Sequence, residues 1–461
     1  MNFKSDDIIC AISSPPGVGA IALIRLSGKG SIELANHVFS KDILNATPYQ
    51  AVYGTIQKDN SPLDEVILTI FRNPHSFTGE DIVEIACHGS AFIQKELLNL
   101  LVESGARIAE PGEFSKRAFY NGKMDLSQTE AIADLIHAES EGAHRLAMTQ
   151  MKGAFGKELT ILREELIKFA ALVELELDFA EEDVEFADRS ELIELVTRVL
   201  TRVNDLKQSF KTGSVIKDGV SVAIVGKPNA GKSSWINALT KDDVAIVSDI
   251  AGTTRDKIEV PIFLSGIKFR LTDTAGLRET DDVIEGIGVE RAKDVIAKAN
   301  IVLLVMDIHE IREETFDEEL RFIRSLNDTA PMITLANKAD TWTLGWSAFG
   351  HEYGHIADLY PVSSKNDEDV KWLINKLVDQ FGSLNQYQSG DLIVTNARHY
   401  EALREASEAL QKAKDGLENQ VSGDFVAMDI RQGIHHLGSI TGEITSDNLL
   451  GHIFLNFCIG K

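Results

Sequence analysis

At 461 residues the chain is too long for a single hydrophobic core, so about two to four domains are expected. Its 44% hydrophobic and 25% charged residues are those of a soluble globular protein. The formal net charge of −25 excludes a protein that coats nucleic acid by general basicity, while leaving room for RNA held by a local patch or a partner. Cys10, Cys87 and Cys458 make no C-x-x-C pair and no metal spacing. With no basic-then-apolar leader and no apolar run of membrane length, a reduced, cytoplasmic protein with no membrane part is expected.

Residues 1–122 mix strand-like runs (Ile8–Ile12, Ala20–Leu26, Val66–Phe71, Ile82–Ala86) with a helix over Ala91–Ser104. Ile93, Leu97, Leu98, Leu100 and Leu101 give that helix its apolar face. Turn sequences Ser14-Pro15-Pro16-Gly17 and Glu110-Pro111-Gly112-Glu113 punctuate a small α+β domain. From Ser127 to about Phe179, Gly and Pro become scarce and apolar residues recur at helical spacing, which predicts long amphipathic helices. Glu181-Glu182-Asp183 reads as a solvated connection, and a further helix is predicted over Ser190–Lys211 with Ser190 as its N-cap.

Residues 215–383 alternate strands with helices. The strands are Val220–Val225, Lys268–Thr272, Ile301–Met306, Met332–Ala336 and the short Leu359–Pro361. This is the rhythm of a doubly wound sheet. Helical composition returns from about Asn396. The fold class expected is multidomain α/β and all-α. An N-terminal α+β domain (1–122) is followed by the first half of a helical domain (123–214), an inserted P-loop domain (215–383) and the second helical half (384–461), the two halves packing together.

The stretch Gly226-Lys227-Pro228-Asn229-Ala230-Gly231-Lys232-Ser233 reads G-x-x-x-x-G-K-S between a strand and a helix opening at Ser234. Such a loop cradles phosphates. Backbone N–H groups and the helix N-terminus face the anion, Lys232 reaches the terminal phosphates, and the Ser233 hydroxyl suits Mg²⁺. By itself the pattern also arises in ordinary Gly-rich turns, so the motifs after it decide. Asp273-Thr274-Ala275-Gly276 ends the strand at Thr272 with a carboxylate for the metal's water shell and a glycine that lets an N–H approach the γ-phosphate. Asn337-Lys338-Ala339-Asp340 follows another strand. A fixed carboxylate at Asp340 accepts N–H bonds from guanine N1 and its 2-amino group, whereas adenine would leave that charge unpaired. Ser363-Ser364-Lys365 suits a loop closing over the base.

Between the phosphate loop and the Asp273–Gly276 motif lies Asp249-Ile250-Ala251-Gly252-Thr253-Thr254-Arg255-Asp256, a segment of the kind that orders with GTP, with Thr254 chosen as the second Mg²⁺ hydroxyl. Ras-like proteins place a water-orienting Gln directly after the Gly of the DTAG motif, but here the residue is Leu277, which cannot orient water. Catalysis must come from elsewhere. The charged segment Arg278 to Gly288 offers carboxylates that could position water directly or through a second water, and equally could be a solvated loop.

The G-x-P-N-A-G-K-S loop with D-I-A-G-T-T-R-D and D-T-A-G-L-R resembles the Era-like GTPases. Three outlying segments narrow this: Asn73-Pro74 with Ser76-Phe77-Thr78-Gly79-Glu80-Asp81, Pro111-Gly112-Glu113-Phe114-Ser115 with Arg117-Ala118-Phe119, and Phe457-Cys458-Ile459-Gly460-Lys461. Together they resemble the MnmE (TrmE) family of tRNA uridine modification GTPases over the whole chain. The resemblance implies an enzyme: a GTPase working with an FAD-containing, MnmG-type partner at C5 of the wobble uridine, position 34, of certain tRNAs. The group installed is aminomethyl or carboxymethylaminomethyl. The one-carbon unit would come from a tetrahydrofolate, 5-formyl or 5,10-methylene, bound by the N-terminal domain. That domain would also make a homodimer, and the GTPase domains would meet in the GTP state with K⁺ assisting hydrolysis.

Carried onto this sequence, the resemblance implies K⁺ ligation by Asn229, Ser248, Ile250 and Thr253, and Mg²⁺ at Ser233 and Thr254. A monovalent cation beside the β- and γ-phosphates can do the electrostatic work of an arginine finger. Glu285 becomes the catalytic carboxylate. Asn229–Ser234, Ser248–Thr254, Asp273–Gly276, Asn337, Lys338, Asp340 and Ser363–Lys365 form the GTP site. Arg25, Glu84, Lys123 and Lys461 would hold the folate, a carboxylate suiting the pterin N–H edge and cations the glutamate tail. Read singly, these four are ordinary surface ion pairs. Cys458 is a small buried hydrophobe by type, outside the catalytic set. The alternative is an Era-type, GTP-switched RNA-binding or ribosome-assembly factor, which calls for a basic RNA-binding module not found in the sequence.

Overall fold

Short runs of Ile, Val and Leu build the first sheet, and the residues between them set its turns. In order come β1 (Ile9–Ile12), β2 (Ile21–Ser27), α1 (Ser31–Val38), β3 (Ala51–Lys58), β4 (Ser61–Phe71), β5 (Ile82–His88), α2 (Ala91–Glu103) and β6 (Arg107–Ile108). The strands lie in the order β3-β4-β5-β2-β1-β6. All pairs are antiparallel except β1 with β6. Alternate residues of β2 are buried, and Ile24, Leu26, Leu68, Val83 and Ile85 join Leu97 and Leu101 of α2 in one core. The register pairs Arg25 of β2 with Glu84 of β5. The computed structural model describes residues 7–59, 61–178, 189–241, 259–274, 285–343, 349–350, 353–354, 356, 358–381, 392–444, 447–455, 457 and 460.

Helices then take over: α3 (Glu113–Tyr120), α4 (Leu126–Ile136), α5 (Glu141–Met151), α6 (Ala154–Asp178) and α7 (Arg189–Asp218). A capping box starts α4. Asp125 accepts from the Gln128 N–H at 2.8 Å, and the Gln128 side chain accepts from the Asp125 N–H at 3.0 Å. Along α6 the buried residues Phe155, Leu159, Leu162, Leu166, Phe169 and Val173 recur at alternating spacings of four and three, one apolar stripe. The predicted N-cap Ser190 lies inside α7 as its second residue, and the helix runs on past Lys211 to Asp218.

The second sheet comprises β7 (Val220–Val225), β8 (Glu259–Leu264), β9 (Ile267–Asp273), β10 (Ile301–Asp307), β11 (Met332–Asn337) and β12 (Leu359–Pro361). Its helices are α8 (Lys232–Lys241), α9 (Glu285–Lys298), α10 (Glu313–Leu326) and α11 (Asp367–Phe381). The order is β12-β11-β10-β7-β9-β8, parallel except for β8 against β9. The chain leaves β7 in one direction to β9 and returns on its other side to β10, so the switch point of the sheet lies at the end of β7. Among the described residues three helices follow: α12 (Ala397–Glu418), α13 (Gly423–Thr441) and α14 (Asp447–Leu455). α13 packs along α6, and Arg163 of α6 pairs with Glu443 just beyond α13.

The residues divide into two compact units. One is drawn from 1–137, 147–204 and 401–461, the other from 138–146 and 205–400. The expected fold class holds: an α+β part, an all-α part and a doubly wound α/β part. The sequence reading missed β3, β6, β8, α1 and α3. β8 carries Pro261 at a sheet edge, where a missing N–H is tolerated. β3 carries Gly54, whose missing Cβ is filled by the Phe39 ring. The acidic run 181–183 lies outside the described residues. Among the described residues no helix is long and apolar enough to cross a membrane.

Candidate functional site

The loop after β7 is shaped by close backbone approaches. A Cβ on Gly226 would meet the Val305 carbonyl at 2.0 Å, and one on Gly231 the Asn337 Nδ2 at 2.1 Å. Gly226, Asn229 and Gly231 have φ of 149°, 62° and 100°. These are conformations that glycine adopts readily and asparagine tolerates. Lys232, the first residue of α8, is 4% exposed, and its ammonium donates to the Gly226 and Lys227 carbonyls at 2.8 and 2.7 Å. The cation therefore closes the loop on itself. Ser233 Oγ donates to Asp273 Oδ2 at 3.0 Å, bringing together the two oxygen groups read as belonging to Mg²⁺. Two hard oxygens at a strand end and a helix start fit that ion's preference. Ala230 is buried, and Ser234 is exposed on the first turn of α8.

At the end of β11, Lys338 adopts φ 67° and reaches across to Asp307 Oδ2 at 2.5 Å. Burial alone would raise the Asp307 pKa. The bonds from Lys338 and from the His309 N–H outweigh it and hold that carboxyl below its ordinary value. Asp340 follows in a short 3₁₀ turn, Ala339–Thr341. Its carboxylate accepts from Ser363 Oγ at 2.7 Å and from Lys365 Nζ at 3.4 Å. The Ser363 bond, then the Lys365 charge, lowers the Asp340 pKa, so it is an anion at neutral pH. Ser363 is itself held by Asp369, whose Oδ2 accepts its N–H at 2.8 Å, and Ser364 is half-buried. The carboxylate expected to read the base and the loop expected to close over it thus touch.

Thr274, the second residue of the Asp273–Gly276 segment, is bonded within the sheet. Its N–H and Oγ1 both donate to the Ile224 carbonyl, at 3.2 and 2.9 Å, so the side chain ties β9 to β7. Ser248, Asp249, Ile250, Ala251, Gly252, Thr253 and Thr254 lie outside the described residues, as do Ala275, Gly276, Leu277 and Arg278. Asn229 is therefore the one proposed K⁺ ligand among the described residues. Glu285 is the first residue of α9.

The other predicted site gathers at β2 and β5. Arg25 Nε and Nη2 donate to Glu84 Oε1 at 2.9 and 2.8 Å, and Nη1 donates to the Gly460 carbonyl at 3.3 Å. The guanidinium lies 5.5 and 5.7 Å from the ring centres of Phe77 and Phe114. Ser13 Oγ also donates to the Gly460 carbonyl, at 3.0 Å. Lys123 Nζ donates to the Pro74 carbonyl at 2.9 Å, and its stem packs against Gly79, where a Cβ would stand 3.2 Å away. Gly112 abuts Phe454 and Phe457. The three outlying segments quoted above are thus contiguous in space around Arg25. Lys461 and Cys458 lie outside the described residues.

Sequence reasoning missed what Glu80, Glu113 and Arg117 of those segments do. Arg117 is fully buried; it donates to Asp7 Oδ1 at 2.6 Å, to Glu80 Oε2 at 3.2 Å and to Glu113 Oε1 at 3.2 Å. Arg107 grips both oxygens of Glu113, at 2.6 and 3.0 Å, and Asp7 Oδ2 at 2.8 Å. Burial would raise the pKa of Asp7 and Glu113, but the arginine bonds prevail and both are lowered. The spacing of Glu113 and Arg117, i and i+4 on a helix, was the available signal.

Two family models match the chain: the GTP-binding protein TrmE N-terminus over residues 8–123 and the MnmE helical domain over residues 126–458. Curated relatives named tRNA modification GTPase MnmE align end to end. That of Cytophaga hutchinsonii is 46% identical over 99% of this chain and 98% of its own. That of Christiangramia forsetii is 44% identical over 99% of this chain and all of its own. That of Parabacteroides distasonis is 47% identical over 98% and 99%. These likenesses establish that the chain belongs to the MnmE family.

Proposed function

We propose that this protein is a cytoplasmic GTP hydrolase that acts in tRNA modification. With an FAD-containing, MnmG-type partner it would place an aminomethyl or carboxymethylaminomethyl group at C5 of the wobble uridine, position 34, of certain tRNAs. The strongest support beyond family membership is that Lys232, Ser233, Asp273 and Asp340 all lie at or just past strand ends of one sheet, with Ser233 bonded to Asp273. In this reading Asp340 turns from Ser363 to the N1 and 2-amino groups of guanine, and Lys232 gives up two carbonyls for the terminal phosphates. Ser233 and Thr254 would hold Mg²⁺, with Asp273 in its water shell. Asn229, Ser248, Ile250 and Thr253 would hold K⁺. The cations supply positive charge where the phosphates develop negative charge. Glu285 would orient the attacking water. The chain divides as 1–122, 123–214, 215–383 and 384–461, and the N-terminal domain would make the homodimer.

Arg25, Glu84, Lys123 and Lys461 would bind a 5-formyl- or 5,10-methylene-tetrahydrofolate that supplies the one-carbon unit. The donor set fits such a ligand. Glu84 offers a partly exposed carboxylate for a pterin edge, and Arg25 and Lys123 offer cations for an anionic tail. Deleting the gene and assaying bulk tRNA is the direct test: loss of C5-modified wobble uridine is expected, and unchanged nucleosides would overturn the proposal. Hydrolysis should rise in K⁺ over Na⁺. Glu285→Ala should keep GTP binding and lower kcat about 10²- to 10⁴-fold. A parent-like rate would remove Glu285 from its role.

A further inference from the structure

Trp235 stands on the fourth position of α8, fully buried beneath the phosphate loop. Its indole N–H donates to Asn337 Oδ1 at 3.0 Å, and Asn337 Nδ2 donates to the Ala230 carbonyl at 2.7 Å. An indole only donates and a carbonyl only accepts, so the two partners together dictate which way the carboxamide faces. Asn337 is 2% exposed and abuts Gly231 so closely that a single methyl there would collide with it. The Trp235 backbone N–H closes the ring by donating to the Gly231 carbonyl at 3.1 Å. Helix start, phosphate loop and the end of β11 are therefore locked through one side-chain amide. Three residues on from that amide is Asp340.

We infer that Trp235 is a positioning residue for nucleotide binding: its indole N–H orients Asn337, which holds the phosphate loop at Ala230 in register with the base-reading segment. Without the N–H, Oδ1 of Asn337 is a buried acceptor with no donor, and the amide gains the freedom to turn. The inference rests on the guanine-nucleotide site proposed above. The two fail separately. A parent chain that binds no GDP removes both, whereas a binding parent leaves the role of Trp235 to the variants.

The test compares the full-length parent, Trp235→Phe, Asn337→Ala and the double variant. Trp235→Phe should raise the Kd for GDP and the KM for GTP about tenfold while kcat changes less than threefold, an effect the size of one buried hydrogen bond. In the Asn337→Ala background the same change should move Kd less than twofold, because the group through which Trp235 acts is gone. A Trp235→Phe variant that binds within twofold of the parent, or one that loses the same factor in both backgrounds, overturns the inference. If Trp235→Phe does not fold, the parent still decides. Of its four tryptophans, one ¹⁵N-labelled indole N–H should exchange with solvent far more slowly than the others. Four indoles exchanging alike would mean that the bond is not held, and would also overturn it.

Discussion

The charges around Arg117 and those around Asp340 are the same kinds of group put to opposite ends. Arg117 is wholly buried, carboxylates from three segments hold its two terminal nitrogens, and nothing in that cluster can turn outward without leaving a charge unpaired. Asp340 is exposed and held by the Ser363 hydroxyl and by an exposed lysine, whose ammonium can be solvated at little cost. A pair that a ligand can replace is thus recognised by the freedom of its partners, not by its shortness. Arg25 falls between the two: its side chain is 15% exposed, it is bonded twice to Glu84 and once to a backbone carbonyl, and two rings flank it.

That contrast can be broken by substitution. Asp340→Asn should cost GTP two charge-assisted bonds, about 3–6 kcal/mol or roughly 10²- to 10⁴-fold in affinity, with the unfolding midpoint unchanged. Equilibrium nucleotide binding and a thermal melt read the two halves of this statement. Arg117→Met should do the reverse. Stranding Asp7, Glu80 and Glu113 should lower stability by about 3–5 kcal/mol in urea, and GTP affinity of the folded fraction should be unaffected. Arg25→Ala should weaken binding of a reduced folate about 10- to 100-fold, the loss of one charge-assisted bond, with a smaller loss of stability than at Arg117. Calorimetric titration with 5-formyl-tetrahydrofolate checks it, and parent-like affinity would make Arg25 purely structural.

Acid should separate the clusters more gently. Asp7 and Glu113 have folded pKa values below their ordinary 3.8 and 4.5. Their contribution is complete above those ordinary values and is lost as pH falls through the lowered ones. The first unit should therefore hold its melting temperature from pH 7 down to about 5 and lose it on further acidification. The pH dependence should be shallower in Arg117→Met. A parent and variant with the same acid slope would show that the network does not set it.

Much of the geometry of the proposed nucleotide site was legible because its groups lie a few residues past strand ends, where local spacing fixes spatial position. The Arg25 cluster was not legible from residues alone, since only the β2–β5 register sets Arg25 opposite Glu84, and only long-range packing brings Phe77, Phe114 and Gly460 to it. The spacing of the Asp273–Gly276 segment did not show that the Thr274 hydroxyl ties β9 to β7. Trp235 gave no signal, because a tryptophan in an amphipathic helix reads as core, and its N–H partner lies 102 residues away.

The packing of α6 against α13 has a consequence for how the chain is made. About 240 residues separate the end of α6 from the start of α13. At bacterial-like synthesis rates that is a delay of roughly 10–50 seconds. Throughout it the stripe of Phe155, Leu159, Leu162, Leu166 and Phe169 has been translated but its partner helix has not. The strands and helices of the α/β unit between them can meanwhile complete their own core. The order of assembly is thus written into the order of the segments: the later unit in the sequence closes first, and the earlier one waits for the last helices.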